Sequence, residues 1–114
     1  MDLKDWMDLK SGTDVRGVAL EGVPGEAVNL TDEAVAGIVK AFLYRLAQKT
    51  GKKKLTLAIG HDSRLSAERI SACAVRAANE SGSDVLFTGL SSTPSMFMLL
   101  QEKDIAADAS VMIT

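Results

Sequence analysis

Three short apolar runs, separated by segments long enough for helices, constrain the fold of this chain more than any other feature. They cover residues 55–59, 84–88 and 109–113. The first run is apolar at almost every position, which is typical of a strand in a sheet that is covered on both faces. Strands that alternate with helices across short connections are typical of a mainly parallel sheet. The sequence therefore predicts an α/β protein.

Apolar periodicity and capping residues mark the helices. The clearest helical stripe repeats at intervals of three and four residues and comprises Val35, Ile38, Val39, Phe42, Leu43 and Leu46. Thr31 is a natural N-cap for this helix, and Gly51 is a natural residue to end it. Further helices are predicted for residues 2–10 and 66–81, and a last helix is predicted to begin with Thr93 as its cap.

A first strand is predicted for residues 15–20, which precede a turn rich in glycine. The predicted fold is a single three-layer α/β domain over residues 1–114, with a mainly parallel, mixed four-stranded sheet and helices on both faces. The pattern leaves open whether the first strand runs antiparallel to the others. An antiparallel strand would bring Asp14 and Arg16 to the edge where the other strands end.

Composition argues against several classes of partner. A formal net charge of −2 gives no basic surface for nucleic acid or for an anionic membrane. No apolar run approaches the roughly 18 residues of a membrane-spanning helix, and the first residues lack the apolar core of a secretion signal. A single cysteine cannot form an internal disulfide. The sequence therefore predicts a cytoplasmic protein without nucleic-acid or membrane partners.

Polar residues follow the predicted parallel strands, at the edge of the sheet where ligands usually bind. Residues 60–64 follow one of these strands, and Thr114 follows another. Arg16 lies in an otherwise apolar strand, and its planar guanidinium suits a phosphate or a carboxylate. The alternative for Arg16 is an internal ion pair with Asp14 or Asp62. The residues alone favour that structural alternative.

The other polar residues of this edge each have a structural interpretation as well. Asp62 can cap the following helix, and Asp62 and Arg64 can simply brace the turn. The hydroxyls of residues 91–93 can face a phosphate or cap the next helix, and capping explains them equally well. His61 is the only histidine. Because no serine lies in a nucleophile-elbow pattern, His61 is interpreted as a surface or loop residue, and no ligand cluster predicts a metal site.

Four short motifs, in series along the chain, resemble those of the α-D-phosphohexomutase family. They are Ser-Gly-Thr-Asp-Val-Arg-Gly at 11–17, Ala-Ile-Gly-His-Asp-Ser-Arg-Leu-Ser at 58–66, Gly-Leu-Ser-Ser-Thr-Pro at 89–94 and Asp-Ala-Ser-Val-Met-Ile-Thr at 108–114. Each motif is weak alone. Four motifs in the right order over a matching fold are specific.

The resemblance implies an enzyme that interconverts hexose 1-phosphate and hexose 6-phosphate. Family members use a phosphoserine, a hexose 1,6-bisphosphate intermediate and Mg²⁺. By resemblance, Thr114 opens the loop of the catalytic serine, and Arg16 binds the substrate phosphate beside it. The residues that would support this site are Asp14, Asp62, Arg64 and Thr93.

The resemblance also implies that residues 1–114 are domain I of a larger, multidomain enzyme. The nucleophilic serine, most Mg²⁺ ligands and the sugar-binding loops would lie in its remaining parts. The expected partners are therefore a phosphosugar and those other domains. The polypeptide alone is expected to be inactive. It is also expected to self-associate or to be marginally stable, because its last strand would have an uncovered edge that can template pairing.

Two alternatives stay open at the level of sequence. The first is a standalone phosphate-binding, phosphosugar-binding or regulatory module that has the fold without the catalysis. It requires that Arg16 bind an anion. The second is an interaction domain without a small ligand, in which Arg16 would be fully engaged inside the protein.

Overall fold

The computed structural model describes residues 1–12, 14–22 and 24–114. Thr13, in the first motif, and Val23, in the predicted turn, lie outside these residues. The elements in chain order are α1 (Leu3–Met7), β1 (Lys10–Ser11), β2 (Asp14–Val15), α2 (Asp32–Thr50), β3 (Thr56–His61), α3 (Ala67–Glu80), β4 (Asp84–Leu90), α4 (Thr93–Leu99) and β5 (Ala109–Ile113).

The main sheet has three strands in the order β4-β3-β5, and both pairings are parallel. In the central strand β3, Ile59 pairs with Phe87 on one side and with Val111 on the other. This arrangement confirms the predicted α/β class and the parallel connections. Three of the four predicted strands form this sheet.

The prediction of a first strand over residues 15–20 is wrong. Only Asp14–Val15 pairs, antiparallel to Lys10–Ser11, in a separate two-stranded sheet. The reason lies in the hydrogen bonds of Val18. Its amide donates to the side chain of Asn29 at 2.6 Å, and its carbonyl accepts the amides of Asn29 and Leu30. These local bonds occupy the groups that a sheet ladder would need.

Helices cover both faces of the main sheet. On one face, α2 and α3 pack with β3 in a core that contains Val39, Leu57 and Ile59. On the other face, α4 lies against the sheet at Gly60. The Sδ atom of Met96 would lie 2.7 Å from a Cβ at Gly60, so that only glycine allows this close approach. The three-layer arrangement is therefore confirmed.

Helix α2 follows its predicted pattern at both ends. The Thr31 hydroxyl accepts the Ala34 amide at 3.2 Å, and Gly51 ends the helix with a φ of 72°. Phe42, which the stripe placed inward, is exposed. Helix α1 is shorter than predicted, and its Trp6 ring packs against Gly37 of α2.

The N-cap of α4 is Ser92, so the prediction that Thr93 caps this helix is wrong. The Ser92 hydroxyl accepts the Ser95 amide at 3.2 Å, and the Ser95 hydroxyl accepts the Ser92 amide at 3.1 Å. This is a reciprocal capping box. Ser92 has the extended backbone that an N-cap requires, with φ −108° and ψ 157°, whereas Thr93 is the first helical residue.

Candidate functional site

The loops that follow the three parallel strands meet at the carboxyl edge of the sheet. The Ser91 amide, after β4, donates to the His61 carbonyl of β3 at 2.8 Å. The Asp62 amide, after β3, donates to the Ile113 carbonyl of β5 at 3.0 Å. Thr114 directly follows that carbonyl and is exposed. The structure therefore brings Asp62 and Thr114 together as the parallel topology predicts.

Asp62 and Arg64 form one hydrogen-bonded turn at this edge. The Asp62 carboxylate accepts the Arg64 amide and the Arg64 Nε, each at 3.0 Å. The backbone amide of Arg64, followed by its side chain, lowers the pKa of Asp62. The carboxylate therefore braces its own turn rather than capping α3. The Arg64 side chain is 68% exposed, and its charge faces solvent at the carboxyl edge.

His61 is the last residue of β3 rather than a loop residue, and it is half-buried in the wall of an open groove at the surface. Its Nδ1 donates to the Asp62 carbonyl at 2.7 Å. Its ring stacks on Phe87, with centroids 5.7 Å apart and planes at 30°. Both side chains lie on the face of the sheet that α3 covers, because alternate residues of a strand share a face.

The hydroxyls in the loop between β4 and α4 are occupied by structural hydrogen bonds. Ser91 Oγ shares a 2.9 Å hydrogen bond with Thr88 Oγ1, and Thr88 Oγ1 also donates to the Ile59 carbonyl at 3.2 Å. Ser92 and Ser95 form the capping box described above. Of the two interpretations offered for these hydroxyls, the observed contacts favour helix capping.

Arg16 and Asp14 are exposed, and neither forms an ion pair within residues 1–12, 14–22 and 24–114. The contact that fixes this segment is made by the backbone, where the Arg16 amide donates to the Leu9 carbonyl at 2.8 Å. The internal pairing of Arg16 with Asp14 or Asp62 is therefore not found. No described contact brings Arg16 to the carboxyl edge.

Arg69 was not identified from the sequence. Its side chain makes the longest-range polar contacts to residues in the first third of the chain. Its Nη2 donates to the carbonyls of Ala19 at 3.1 Å and Leu30 at 2.9 Å, and its Nη1 donates to Asp32. The hydrogen bond from Arg69 is the main cause of the lowered pKa of Asp32. Arg69 thus ties the segment after Arg16 to α3. The sequence did contain a signal for this ion pair, because Asp32 and Arg69 have opposite charges and lie in the first turns of two helices that are expected to pack side by side.

Asp108 anchors the opposite, amino end of β5. Its carboxylate accepts the Thr56 amide of β3 at 2.8 Å and pairs with Lys52 at 2.5 Å. The Lys52 hydrogen bond, followed by that from Thr56, lowers the pKa of Asp108. This contact fixes the start of β5 and therefore the position of Thr114, which follows the other end of the strand.

The residues that the structure describes contain no group of three or more His, Cys, Asp or Glu side chains that could hold a metal ion. These side chains do not fit a Mg²⁺ site of their own. In the same residues, no helix is long and apolar enough to cross a membrane.

Residues 9–114 match the family described as Phosphoglucomutase/phosphomannomutase, alpha/beta/alpha domain I. The chain belongs to this family. It is 33% identical over 91 residues to a phosphoglucosamine mutase of Syntrophomonas wolfei subsp. wolfei (strain DSM 2245B / Goettingen). That match covers 79% of this chain but 19% of the relative, so that the aligned part is about a fifth of the relative's length. No solved structure gives a significant match. The resemblance inferred from the four motifs is confirmed at the level of the family.

Proposed function

We propose that this chain acts as domain I of a phosphohexomutase that interconverts hexose 1-phosphate and hexose 6-phosphate. The observation that carries the proposal is the joining of β3 and β5 at the carboxyl edge, where the Asp62 amide binds the Ile113 carbonyl at 3.0 Å. This bond holds Thr114 beside the turn of Asp62 and Arg64. A loop continuing from Thr114 would begin next to an exposed guanidinium.

Phosphoryl transfer depends mostly on positioning and on neutralising the charge of the phosphoryl oxygens. In the proposal, Arg64 supplies a positive charge at the edge, and Asp62 holds its Nε so that the remaining N–H groups face solvent. The serine that carries the phosphate would follow Thr114, and the intermediate would be a hexose 1,6-bisphosphate. Mg²⁺ would be held mostly by other domains, and we assign no residue of this chain to it.

Arg16 is proposed to bind the substrate phosphate. Its side chain is exposed, and no carboxylate among the described residues pairs with it, so an anion would meet no internal competitor. Its segment is held at Val18 by Asn29 and at Ala19 by Arg69. For Arg16 to reach the carboxyl edge of the sheet, the backbone on the amino side of these two anchors would have to change conformation.

A chimera tests the proposed domain function. Residues 1–114 replace the matching segment of the Syntrophomonas wolfei phosphoglucosamine mutase, and mutase turnover is followed with glucosamine, glucose and mannose phosphates. We expect turnover by the chimera and none by residues 1–114 alone, whose sequence contains no serine after β5. An inactive chimera that is folded and monodisperse would contradict the proposal.

The role of Arg16 is tested in the same chimera. Arg16→Ala should lower kcat/KM about 100-fold or more, since a lost charge-assisted contact to a transferring phosphoryl group costs several kcal/mol. Arg45→Ala, at another exposed arginine on α2, is the matched control and should leave kcat/KM unchanged. Equal turnover by the Arg16→Ala and unmodified chimeras would remove Arg16 from the site.

The alternative of a phosphate-binding module without catalysis is favoured by one observation, the unpaired state of Arg16 among the described residues. Calorimetric titration of residues 1–114 with glucose 1-phosphate and with inorganic phosphate tests it. Binding that Arg16→Ala abolishes, together with an inactive chimera, would support the module over the enzyme domain. A cytoplasmic location is proposed for either function.

A further inference from the structure

The imidazole of His61 has no task in the proposed function, yet it lies where the three strands of the main sheet end. His61 is the last residue of β3, and it pairs with the last residue of β4, Leu90, and with the last residue of β5, Ile113. Its carbonyl also accepts the Ser91 amide at 2.8 Å. Both neighbouring strands therefore fix the backbone from which this ring extends.

Two contacts fix the direction of the ring. It stacks on Phe87 of β4, and its Nδ1 lies 2.7 Å from the Asp62 carbonyl oxygen. A carbonyl oxygen only accepts hydrogen bonds, so Nδ1 carries the hydrogen, and in the neutral ring Nε2 has none. The geometry therefore selects one of the two tautomers of the neutral imidazole.

The hydrogen bond from Nδ1 completes the set of bonds that hold Asp62. The Asp62 amide donates to the Ile113 carbonyl at 3.0 Å, and its carboxylate accepts from the amide and the Nε of Arg64. A residue has two soft backbone dihedral angles, one beside its amide and one beside its carbonyl. The contact with β5 restrains the first, and the imidazole restrains the second. The bonds between Asp62 and Arg64 lie within the turn, whereas the imidazole ties the turn to the sheet.

We propose that His61 is a positioning residue for phosphoryl transfer, a role that rests on the proposed function. Its Nδ1–H holds the Asp62 carbonyl and thereby directs the turn that carries the Arg64 guanidinium at the carboxyl edge. The imidazole itself touches neither the sugar nor the phosphate. It acts through distance, because a transferring phosphoryl group is stabilised by charges that are already in place before the reaction.

Three substitutions of His61 separate the hydrogen-bond donor from the ring. Nδ1 is bonded to Cγ, as is the side-chain nitrogen of asparagine, so that His61→Asn keeps a donor at the same place without the ring. His61→Phe keeps a ring that can stack on Phe87 but has no donor. His61→Gln is the matched control for the amide, because its nitrogen lies one bond further from the backbone.

The kinetics of the chimera described above test the positioning role. His61→Phe should lower kcat about tenfold and change KM much less, since a misplacement of about 1 Å in an active site costs up to about 100-fold in rate. His61→Asn should restore most of kcat, and His61→Gln should not. A purely structural contact predicts a lower free energy of unfolding with an unchanged kcat in all three folded variants. That result would overturn the proposal.

NMR of residues 1–114 distinguishes this proposal from the proposed function. Above the pH range in which histidine ordinarily titrates, the nitrogen spectrum of the ring should show the hydrogen on Nδ1. The Asp62 amide should exchange with solvent about tenfold faster in His61→Phe, and slowly again in His61→Asn. A hydrogen on Nε2, or equal exchange in all variants, would overturn the proposal even with an active chimera. An inactive unmodified chimera with both NMR results as expected would reject the function and leave the imidazole as the group that orders the turn.

Discussion

Arg69 holds the segment that leads into α2. Its guanidinium donates to two backbone carbonyls and to the carboxylate of Asp32. A planar group with five donors can satisfy all three acceptors, which a lysine could not do with the same geometry. The segment that follows Arg16 is therefore positioned by a side chain of α3, which lies 50 residues further along the chain than Ala19.

Removing this clamp should destabilise the chain. Arg69→Met keeps much of the apolar stem but leaves the carbonyls of Ala19 and Leu30 without their donor, and we expect a loss of about 1–3 kcal/mol. The measurement is the free energy of unfolding from urea denaturation. Arg45→Met, at an exposed arginine on α2, is the control and should change it by less than about 0.5 kcal/mol. Equal effects of the two substitutions would show that the Arg69 contacts add nothing to stability.

At the scale of elements, the N-cap of α4 is Ser92, one residue before the cap that the sequence predicted. Both Ser92 and Thr93 are residue types that cap helices, and the local sequence does not rank them. The capping box decided between them, because Ser95 stands three residues after Ser92 and returns the hydrogen bond.

The two candidate caps predict different responses to alanine. Ser92→Ala removes the acceptor of the Ser95 amide and should cost about 1 kcal/mol in the free energy of unfolding. Thr93→Ala, within the helix, should cost less than about 0.5 kcal/mol, since alanine has the higher helix propensity. Thermal or urea unfolding of both variants measures the difference. A larger loss for Thr93→Ala would contradict the observed cap.

At the scale of the whole molecule, ion pairs tie separate elements together. Lys40 of α2 binds Glu80 of α3 at 2.8 Å, and Asp108 joins Lys52 to the start of β3. The pKa of Glu80 is lowered chiefly by the hydrogen bond from Lys40. With Asp32 and Asp62, these carboxylates all have a pKa below its ordinary value in the folded state.

The lowered pKa values give stability a defined dependence on pH. Each carboxylate contributes fully above its unfolded-state pKa, about 4, and loses its contribution as the pH falls through the lower folded-state pKa. We expect the denaturation midpoint to be steady from pH 7 to about pH 5 and to fall below about pH 4. Urea titrations at several pH values measure this. Asp108→Asn should make the fall of the denaturation midpoint below about pH 4 less steep. An unchanged fall would show that Asp108 does not contribute to it.

The two open edges of the sheet also belong to this scale. The sequence predicted self-association through the last strand, and β5 does have a free edge in the three-stranded order. The other edge, at β4, adjoins a groove of about 910 Å³ that is lined by Val75 of α3 and Phe87 of β4. Whether either edge associates depends on the surface around the strand, which the strand pattern alone does not describe.

The sequence by itself determined the elements whose signals are local. Helix α2 could be predicted with both of its ends, and β5 matches its predicted bounds, because apolar period, capping and turn residues act within a few positions. The meeting of the loops at the carboxyl edge also followed, since parallel strands end on the same side. The turn of Asp62 and Arg64 belongs with these features, as its partners are two residues apart.

Only the tertiary structure decided the placement of residues 15–20 and of Arg16. That segment has the composition of a strand, yet its Val18 is held by Asn29, and its Ala19 carbonyl is held by Arg69. These partners are separated from it by 11 and 50 residues, and composition within a window carries no information about them. A strand forms where an edge is available to pair with it, and here other groups bind the backbone instead.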